Sequence, residues 1–447
     1  MSRYNVRSIA LDILLSIEKN QAFSNLLLNK SIEKHEVRGK DAGLLTEIVY
    51  GSIQRRDTLD YYLAPFIKNP KKLQSWVRVL LRLSVYQMIY LDRVPDRAII
   101  HEAVEIAKQK GHRGISSMVN GVLRSIQREG VRSFEEIQDP LERVAIETSH
   151  PLWLVKRWAE QYGMDRTREI CMANLTAPKQ TIRVNTARFT VDEVKAQLQE
   201  EGIAVEKGEF APEALEVQKG NAAYTEAFKK GMFTIQDESS MLVAHALNVE
   251  ENETVLDSCA APGGKSTHIA ELLKGTGKVI SLDIHDHKVK LIAEQATRLQ
   301  LTNIEPTVLD SRKAGDSFGK ESFDRILVDA PCSGFGVMRR KPDLKYVKTQ
   351  KDVEQLSHIQ LQILEAVAPL LKSNGILVYS TCTIDQEENS DVVHAFLQKN
   401  DQFKEDNTFV DRVPEQLKQN VKHGQIQLLP DQQHSDGFYI ACLRKQV

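Results

Sequence analysis

The sequence has few of the features that mark secreted, membrane-spanning or zinc-binding proteins. Its five cysteines are scattered over 447 residues, and this odd number at wide spacing is not a disulfide framework. No two cysteines form a C-x-x-C pair, so we expect no metal site. There is no run of about 18 apolar residues, and the opening MSRYNVRSIALDILLSIEKN is an amphipathic helix pattern without the apolar core of a signal peptide. We therefore expect a cytoplasmic protein with no membrane segment.

A large net charge is also lacking, but the charge is unevenly distributed. The net charge is −2, whereas residues 1–130 contain 21 Lys and Arg against 13 Asp and Glu. A basic first block favours an anionic partner for that block. An ordinary solvated helical surface is the alternative that charge alone leaves open.

The length predicts two or three domains, because one domain usually has about 100–200 residues. Apolar residues recur at spacings of three and four throughout residues 1–130, which predicts a helical bundle. Residues 131–150 are acidic and irregular, and indicate a connector or one further helix. Residues 151–235 combine helix patterns with short strands, as in TIRVNTARFT followed by VDEVKAQLQEEG, and predict a small α+β unit.

From about residue 236 onward, strand and helix patterns alternate, which predicts a parallel, doubly wound sheet. The strand candidates are ETVLDSCA, KVISLDI, EPTVLD, FDRILVDAP and GILVYSTC, with GFYIACLRK as a candidate closing strand. The helix pattern SHIQLQILEAVAPLLKSNG is expected to end at Gly375. The predicted fold is therefore multidomain: an all-α bundle over 1–140, a small α+β unit over 141–235 and an α/β domain over 236–447.

A glycine-containing turn follows the first strand of the α/β domain, where ligands of such sheets bind. It comprises Cys259, Ala260, Ala261, Pro262, Gly263, Gly264 and Lys265. The glycines permit a sharp turn, and the next helix offers free N–H groups to a polar ligand. The turn is neither a G-x-G-x-x-G nor a P-loop motif. A tight connection without a ligand is the alternative interpretation.

Aspartates stand at the ends of four successive strands, at Asp257, Asp283, Asp310 and Asp329. An acid after the second strand can accept hydrogen bonds from ribose hydroxyls, which makes Asp283 a candidate for that contact. Asp310 is placed to accept from the amino group of a base. A single aspartate at such a position is often a helix cap or a surface residue, but four together predict a pocket for a nucleoside cofactor.

Cysteines follow the fourth and fifth strands, at Cys332 and Cys382. A lone cysteine there is usually a small core residue, but these strands should be neighbours, which places both thiols at the ligand edge. A thiol whose pKa falls below about 8.5 supplies a thiolate, which is a good nucleophile. C6 of a pyrimidine is an electrophile that such a thiolate can attack. Addition at C6 makes C5 an enamine carbon that takes a methyl group, and loss of the C5 proton then eliminates the thiol. Asp329 is close enough in sequence to stabilise charge near N3.

The residues alone do not decide which of the two thiols is the nucleophile. A redox couple of Cys332 with Cys382 is a further interpretation, although a reducing cytoplasm disfavours their disulfide.

Long motifs in the sequence resemble two known families. DSCAAPGGKSTH, ILVDAPCSGFGVMRR and GILVYSTCTIDQEEN resemble the RNA (cytosine-5) methyltransferases that use S-adenosyl-L-methionine. FSNLLL, LLTEIVYGSIQRRDTLDYYL and the segment from LLRLSVYQMIYLDRVPDRAIIHEAVEIAKQKG to MVNGVLR resemble NusB-like RNA-binding domains. With HPLWLVKRWAEQYG, RVN and GMFTIQDESSMLVA between them, the combination resembles the bacterial members that act on 16S ribosomal RNA.

The resemblance implies a Rossmann-like methyltransferase domain that binds S-adenosyl-L-methionine. In this family the cofactor turn corresponds to residues 259–265, the ribose acid to Asp283 and the adenine-side acid to Asp310. The acid of the Pro-Cys motif corresponds to Asp329, which is also expected beside the target base. For Lys265 a contact to the base and a plain helix-start lysine are both open.

The resemblance also assigns roles to the two thiols. The Thr-Cys cysteine, here Cys382, corresponds to the nucleophile, and the Pro-Cys cysteine, here Cys332, assists release of the methylated base. In the related DNA enzymes the Pro-Cys thiol is itself the nucleophile.

The expected partner is 16S ribosomal RNA, bound by a monomer. The small α+β unit resembles RRM-like extensions, and the target cytosine would have to leave its stack to enter the pocket. Candidates for phosphate contacts are Arg55, Arg56, Lys68, Lys71 and Lys72. The competing hypotheses are a non-catalytic RNA-binding ribosome-assembly factor and a cytosine-5 methyltransferase that acts on tRNA.

Overall fold

The computed structural model describes residues 5–20, 24–432 and 435–447. Residues 1–4 of the predicted first helix, and Phe23 of the FSNLLL stretch, lie outside this described part. Across the described residues, none of the helices combines the length and apolarity that a membrane crossing requires.

The first third of the described chain contains α-helices with a few short 3₁₀ turns, and strands join them thereafter. The α-helices are α1 (Val6–Asn20), α2 (Ser24–Lys34), α3 (Lys40–Gln54), α4 (Arg56–Leu63), α5 (Ser75–Tyr90), α6 (Asp96–Lys110), α7 (Arg113–Glu129), α8 (Pro140–Glu147), α9 (Leu152–Tyr162), α10 (Met164–Ala173), α11 (Val191–Glu200), α12 (Glu226–Lys229), α13 (Glu238–Leu247), α14 (Gly264–Leu272), α15 (Asp286–Leu299), α16 (Leu344–Val347), α17 (Gln350–Val367) and α18 (Ser390–Lys399).

The strands all lie in the last two thirds of the described chain. They are β1 (Gln180–Val184), β2 (Ala204–Lys207), β3 (Ala214–Lys219), β4 (Phe233–Ile235), β5 (Thr254–Asp257), β6 (Lys278–Asp283), β7 (Ile304–Val308), β8 (Phe323–Asp329), β9 (Leu371–Thr381), β10 (Phe403–Glu405), β11 (Gln425–Leu428) and β12 (Phe438–Lys445).

The chain divides into two compact units, of which the first is helical. It comprises the residues up to Thr176 together with Met338–Lys348. The predicted helical bundle is confirmed, since apolar side chains of α1, α3, α5 and α7 form one buried cluster. Helix α8 lies in the segment where a connector or a further helix was expected, and α9 and α10 continue the helical unit past the expected limit at residue 140.

Residues 338–348 follow strand β8 in the chain but pack within the helical unit. The Ser24 hydroxyl donates to the Asp343 carboxylate (2.5 Å), and the Lys345 ammonium donates to the backbone oxygen of Gln54 (2.7 Å). The Arg56 guanidinium lies 3.5 Å from the centre of the Tyr346 ring. Burial lowers the pKa of Lys345 to about 7. The segment is therefore an integral part of this unit.

The second unit contains residues Ala177–Val337 and Thr349–Val447, with two sheets. The smaller sheet is antiparallel, in the order β2-β3-β1-β4. The expected strands at β1 and β2 and the expected helix α11 are present, and the Thr190 side chain caps α11 through a capping box with Glu193. Strands β3 and β4 were not predicted from the sequence, and they complete a small α+β fold.

The larger sheet has the order β10-β12-β9-β8-β5-β6-β7, and β11 pairs with β12 as its eighth strand. Strands β5 to β9 run parallel, as the alternating pattern predicts, while β12 closes the sheet antiparallel to β9. This Rossmann-like arrangement gathers the carboxyl ends of five parallel strands at one edge, where ligands bind.

The predicted helix end at Gly375 is wrong. Helix α17 ends at Val367, a short 3₁₀ turn follows at Ala368–Leu370, and Gly375 lies inside strand β9. Pro369 explains the early end, because it has no backbone N–H to continue the α-helical hydrogen bonds and its ring blocks the carbonyl four residues earlier. A Cβ at position 375 would lie 2.7 Å from the Leu371 side chain, so close packing accounts for the glycine.

Candidate active site

Two cysteine side chains meet where strands β8 and β9 end. The strands are parallel neighbours in which Asp329 pairs with Ser380, so the loops that follow them leave the sheet side by side. The sulfur atoms of Cys332 and Cys382 are 3.3 Å apart, and both side chains are half-buried. The expectation that these two thiols lie together is confirmed, and they are not joined by a disulfide.

The surroundings of the two thiols set the proton affinity of Cys332. Its hydrogen bond with Cys382 is the first cause of a pKa well above the ordinary thiol value, and burial and the nearby Glu388 and Asp329 charges act in the same direction. Cys332 therefore remains a protonated thiol, able to donate toward the neighbouring sulfur.

An ion pair lies at the end of β8. The Lys265 ammonium donates to one carboxylate oxygen of Asp329 (2.7 Å), and the Ser380 hydroxyl donates to the other (2.8 Å). Both charged side chains are partly exposed, at 13% for Lys265 and 27% for Asp329. The structure thus brings the turn at residues 259–265 into contact with the strand that leads to Cys332.

The turn at residues 259–265 is a tight strand-to-helix connection. The N–H of Ala260 donates to Leu282 O (2.8 Å), and the N–H of Gly263 donates to Ala260 O (2.7 Å). Gly263 has φ +106°, a value that favours glycine, and a Cβ there would lie 3.1 Å from the Ile292 Cα. Helix α14 begins at the next residue, so its N-terminus lies at the ligand edge.

Besides Asp329, two of the four predicted acids lie at this edge, and the fourth does not. Asp283 ends β6 half-exposed, with one oxygen accepting from the N–H of His285 (3.0 Å). Asp310 lies two residues beyond β7, where Arg312 pairs with it at 2.7 Å and lowers the pKa of its carboxyl. Asp257 is fully buried, and it accepts from the Ser266 hydroxyl (2.6 Å). Asp257 therefore supports the turn from below, and the expectation that it lines the pocket is wrong.

Two aliphatic side chains that the sequence reasoning passed over border the same edge. Ile284 directly follows Asp283 and is 51% exposed, and Val308, the backbone neighbour of Asp283 in β7, is 49% exposed. An exposed aliphatic pair beside a half-exposed carboxylate could contact the flat face of a base. The isoleucine directly after the strand-end acid was visible in the sequence, and it could have indicated an apolar contact surface at this edge.

A polar cluster connects helices α13 and α14 with Glu213. The Nε2 atoms of His245 and His268 both lie close to one oxygen of Glu213, at 2.9 and 2.8 Å, and the three ligand atoms are near enough to hold a metal ion. Burial and the nearby Arg183 charge lower the pKa of His268 to about 3. A cation at this position would be repelled by the same Arg183, so imidazole-to-carboxylate contacts suffice to explain the cluster.

The predicted phosphate contacts fall into two groups within the helical unit. Arg55 lies over the Tyr90 ring (4.1 Å), and Arg56 lies over Tyr346 and pairs with Asp57. The lysines are exposed around the 3₁₀ turn at Pro70–Lys72, namely Lys68, Lys71 and Lys72. The lysines are free to reach an anion, whereas the arginines already have partners within the unit.

Comparison with known proteins agrees with this arrangement. A model of the family "16S rRNA methyltransferase RsmB/F" matches residues 244–444. The NusB family model matches residues 4–128, and the ferredoxin-like domain model of RsmF/B-like methyltransferases matches residues 150–223. The chain is 56% identical to the probable ribosomal RNA small subunit methyltransferase B of Bacillus subtilis (strain 168), over 100% of both chains. It belongs to the RsmB/F family of 16S rRNA methyltransferases.

Further relatives of this RsmB/F chain are similar over its full length. It is 33% identical to the ribosomal RNA small subunit methyltransferase B of Proteus mirabilis (strain HI4320), over 99% of each chain. The crystal structure of PH0851 superposes with a TM-score of 0.81 at 28% identity, covering 98% of each chain. The expected family and the fold class, with a NusB-like, a small α+β and a methyltransferase part, are confirmed.

Proposed function

We propose that this RsmB/F chain transfers a methyl group from S-adenosyl-L-methionine to C5 of a cytosine in 16S ribosomal RNA through a covalent adduct with Cys382. The observation that carries the proposal is the pair of thiols 3.3 Å apart at the ends of β8 and β9, beside Asp329. The family membership supports methyl transfer to ribosomal RNA. The thiol pair supports a reaction that needs a sulfur nucleophile, as attack at C6 of a pyrimidine does.

The edge of the sheet next to the thiols fits a nucleoside cofactor. Asp283 would accept from the ribose hydroxyls, Ile284 and Val308 would contact the faces of the base, and Asp310 would lie near its amino group. The turn at residues 259–265 and the N-terminus of α14 would receive the amino acid part. When bound, S-adenosyl-L-methionine supplies the methyl group as an electrophile on a positively charged sulfur.

The first chemical step assigned to this chain is addition of Cys382. Its thiolate forms a bond to C6 of the cytosine while the electron pair of the C5–C6 double bond shifts into the ring, which makes C5 nucleophilic. Lys265, paired with Asp329, offers a donor where negative charge develops, and Asp329 offers an acceptor for the amino group of the base.

Release of the methylated base reverses the addition. A base in the site takes the C5 proton, and the electron pair of the C5–H bond re-forms the C5–C6 double bond. The sulfur of Cys382 then leaves with the electrons of the C6–S bond. Cys332, kept protonated by its raised pKa, donates its S–H toward the departing sulfur and stabilises it. Without that donor the adduct should break down more slowly.

The test is methyl transfer from labelled S-adenosyl-L-methionine to unmodified 16S ribosomal RNA. We expect Cys382→Ala to lower kcat by at least about 10³-fold, the scale on which enzymes lose activity with their nucleophile. We expect Cys332→Ala to accumulate a protein–RNA adduct that survives denaturation. Cys442→Ala is the matched control, because that thiol is buried in β12 away from the strand ends.

Three outcomes would contradict the proposal. They are normal transfer by Cys382→Ala, a methyl group on an atom other than cytosine C5 in mass spectrometry of the digested RNA, and transfer to tRNA but not to ribosomal RNA. Binding of RNA without any transfer would favour an assembly factor that does not catalyse.

A further inference from the structure

A buried carboxylate connects the two loops that carry the thiols. Glu388 lies in the 3₁₀ turn Gln386–Glu388, shortly after β9, and is completely buried. One of its oxygens accepts from the N–H of Ser333 (2.8 Å) and the other accepts from the Ser333 hydroxyl. Ser333 is the residue next to Cys332, so Glu388 holds the first thiol loop at its base.

The same group of contacts reaches the second thiol loop. The hydroxyl of Ser333 lies 2.8 Å from that of Thr383, and Thr383 is the residue next to Cys382. When Glu388 is ionised, the Ser333 hydroxyl donates to it, and the Thr383 hydroxyl then donates to Ser333. The chain of contacts from Glu388 through Ser333 to Thr383 therefore links the backbones on either side of the two sulfur atoms.

A third element fixes the carboxylate itself. The side-chain nitrogen of Gln360, on helix α17, donates to Glu388 (3.0 Å) and to the backbone oxygen of Pro331 (2.9 Å). The backbone oxygen of Glu388 also accepts from the Tyr379 hydroxyl (2.5 Å). Gln360, Ser333, Tyr379 and Thr383 are all fully buried. A side chain with this many buried partners has one position available to it.

We propose that Glu388 is a positioning residue that sets the distance between the sulfur atoms of Cys332 and Cys382. Its side chain is completely buried and bonded to Ser333 and Gln360, so it would act through Ser333 and Thr383 and not by direct contact with a base or cofactor. The proposal rests on the proposed function, in which donation from Cys332 to the departing sulfur requires the two thiols to remain in contact.

The chemistry of a carboxylic acid predicts which substitution is tolerated. Burial raises the pKa of Glu388 to about 7, so near neutral pH a large fraction of it is the uncharged acid. Glutamine has the same shape: its oxygen can still accept from the Ser333 N–H, and its NH2 group can donate to the Ser333 hydroxyl as the protonated acid would. Alanine leaves the Ser333 N–H buried without a partner. Glu388→Gln should therefore keep the thiol spacing and Glu388→Ala should lose it.

The first measurement is steady-state methyl transfer. Glu388→Ala should lower kcat by about 10²-fold, since a misplacement of about 1 Å has that effect, while KM for the RNA and for S-adenosyl-L-methionine changes little. Glu388→Gln should restore most of kcat. Glu354→Ala is the control, because Glu354 is exposed on α17, the helix that also carries Gln360.

The second measurement needs neither RNA nor methyl donor. Diamide oxidises two nearby thiols to a disulfide, and the sulfur atoms need to close only from 3.3 Å to bonding distance. We expect Glu388→Ala to form the Cys332–Cys382 disulfide about tenfold more slowly than the unmodified protein, as measured by mass spectrometry of the linked peptides. Glu388→Gln and Glu354→Ala should react at the unmodified rate.

The two measurements separate this proposal from the proposed function. If the unmodified protein transfers no methyl group, the function fails and the disulfide rates still test Glu388. If Glu388→Ala forms the disulfide at the unmodified rate, or retains full kcat, the positioning role is wrong. Should Glu388→Ala not fold, Thr383→Val removes the hydroxyl contact to Ser333 at similar volume, and an unchanged disulfide rate in that variant would equally overturn the proposal.

Discussion

The two sides of the strand-end edge are built differently. On the side of β6 and β7, the acids Asp283 and Asp310 are partly exposed, and the aliphatic Ile284 and Val308 face solvent. On the side of β8 and β9, the polar groups behind the thiols are fully buried and bonded to one another. In the proposed function, the side of β6 and β7 admits and releases a small molecule in each turnover, and its polar groups lie at the surface. The side of β8 and β9 would make and break a covalent bond, and it has a buried support.

The largest effect on kcat in this comparison is expected for Asp329, and it tests whether Asp329 acts in the reaction beside the thiols or in cofactor binding. Asp329 contacts the cofactor turn through Lys265 and β9 through Ser380. If it serves the reaction, Asp329→Ala should lower kcat by about 10²–10³-fold, as for the loss of one electrostatic contact to a transition state. Steady-state kinetics with both substrates varied will measure this. A rise in KM for S-adenosyl-L-methionine at constant kcat would instead place Asp329 on the cofactor side.

A smaller effect is expected on the side of β6 and β7, which we call the open side because its acids are partly exposed. Asp283→Ala should raise KM for S-adenosyl-L-methionine by about 10–100-fold, because it removes hydrogen bonds to a charged acceptor, and kcat at saturation should change little. Asp286→Ala is a matched control, since Asp286 is exposed in the first turn of α15 and pairs with Lys290. Equal effects of the two substitutions would disprove the ribose contact.

The pH dependence of stability depends on two buried carboxyls, Asp257 at the end of β5 between the two sides and Glu388 behind the thiols. Burial raises the pKa of Asp257 and of Glu388 to about 7, above their ordinary values of 3.8 and 4.5. A carboxyl whose pKa is raised by folding favours the folded state at low pH, and this contribution is lost as pH rises through the folded pKa. The free energy of unfolding should fall by roughly 1 kcal/mol per group from about pH 6 to about pH 8.

Urea unfolding of the unmodified protein at both pH values measures this loss. Asp257→Asn and Glu388→Gln should each remove their own share of it. A free energy of unfolding that stays constant, or rises, over this pH range would show that the two carboxyls do not titrate there.

The smallest expected effect concerns the apolar part of the open side. Ile284→Ala should raise KM for S-adenosyl-L-methionine by about threefold to tenfold, because covering part of one aliphatic side chain with a base is worth only about 0.7–1.4 kcal/mol. Leu291→Ala is the control, since Leu291 is also exposed and lies on α15. Similar KM values for the two variants would remove Ile284 from the cofactor site.

Much of the strand-end edge was predictable from the sequence, because its residues follow directly from where the strands end. The alternation of strand and helix patterns in the sequence identified β5, β6, β7, β8 and β9. Parallel strands bring their carboxyl ends to one edge of the sheet. That reasoning brought Cys332 next to Cys382 and placed Asp283 at the edge. It failed for Asp257, because a strand-end position does not reveal which face of the pleat a side chain occupies when the strand is buried on both faces.

The buried support of the thiol side was not predictable in the same way. Ser333, Gln360 and Glu388 come from three separate segments, and their contacts depend on how two irregular loops fold back on helix α17. No periodicity marks such residues. Gly375 shows the related difficulty that a glycine after a helix pattern signals either a helix end or close packing in a strand, and only Pro369 hinted at the correct choice.

The segment at residues 338–348 has a consequence for dissecting the molecule. The backbone leaves the helical unit after Thr176, re-enters it at Met338 and departs again after Lys348. No single proteolytic nick or gene truncation can therefore yield both units intact, since severing the chain at residue 176 strips the bundle of Asp343, Lys345 and Tyr346. A fragment that ends at residue 176 would lack residues 338–348 of the helical unit. A bundle expressed alone would need those eleven residues supplied as a separate peptide.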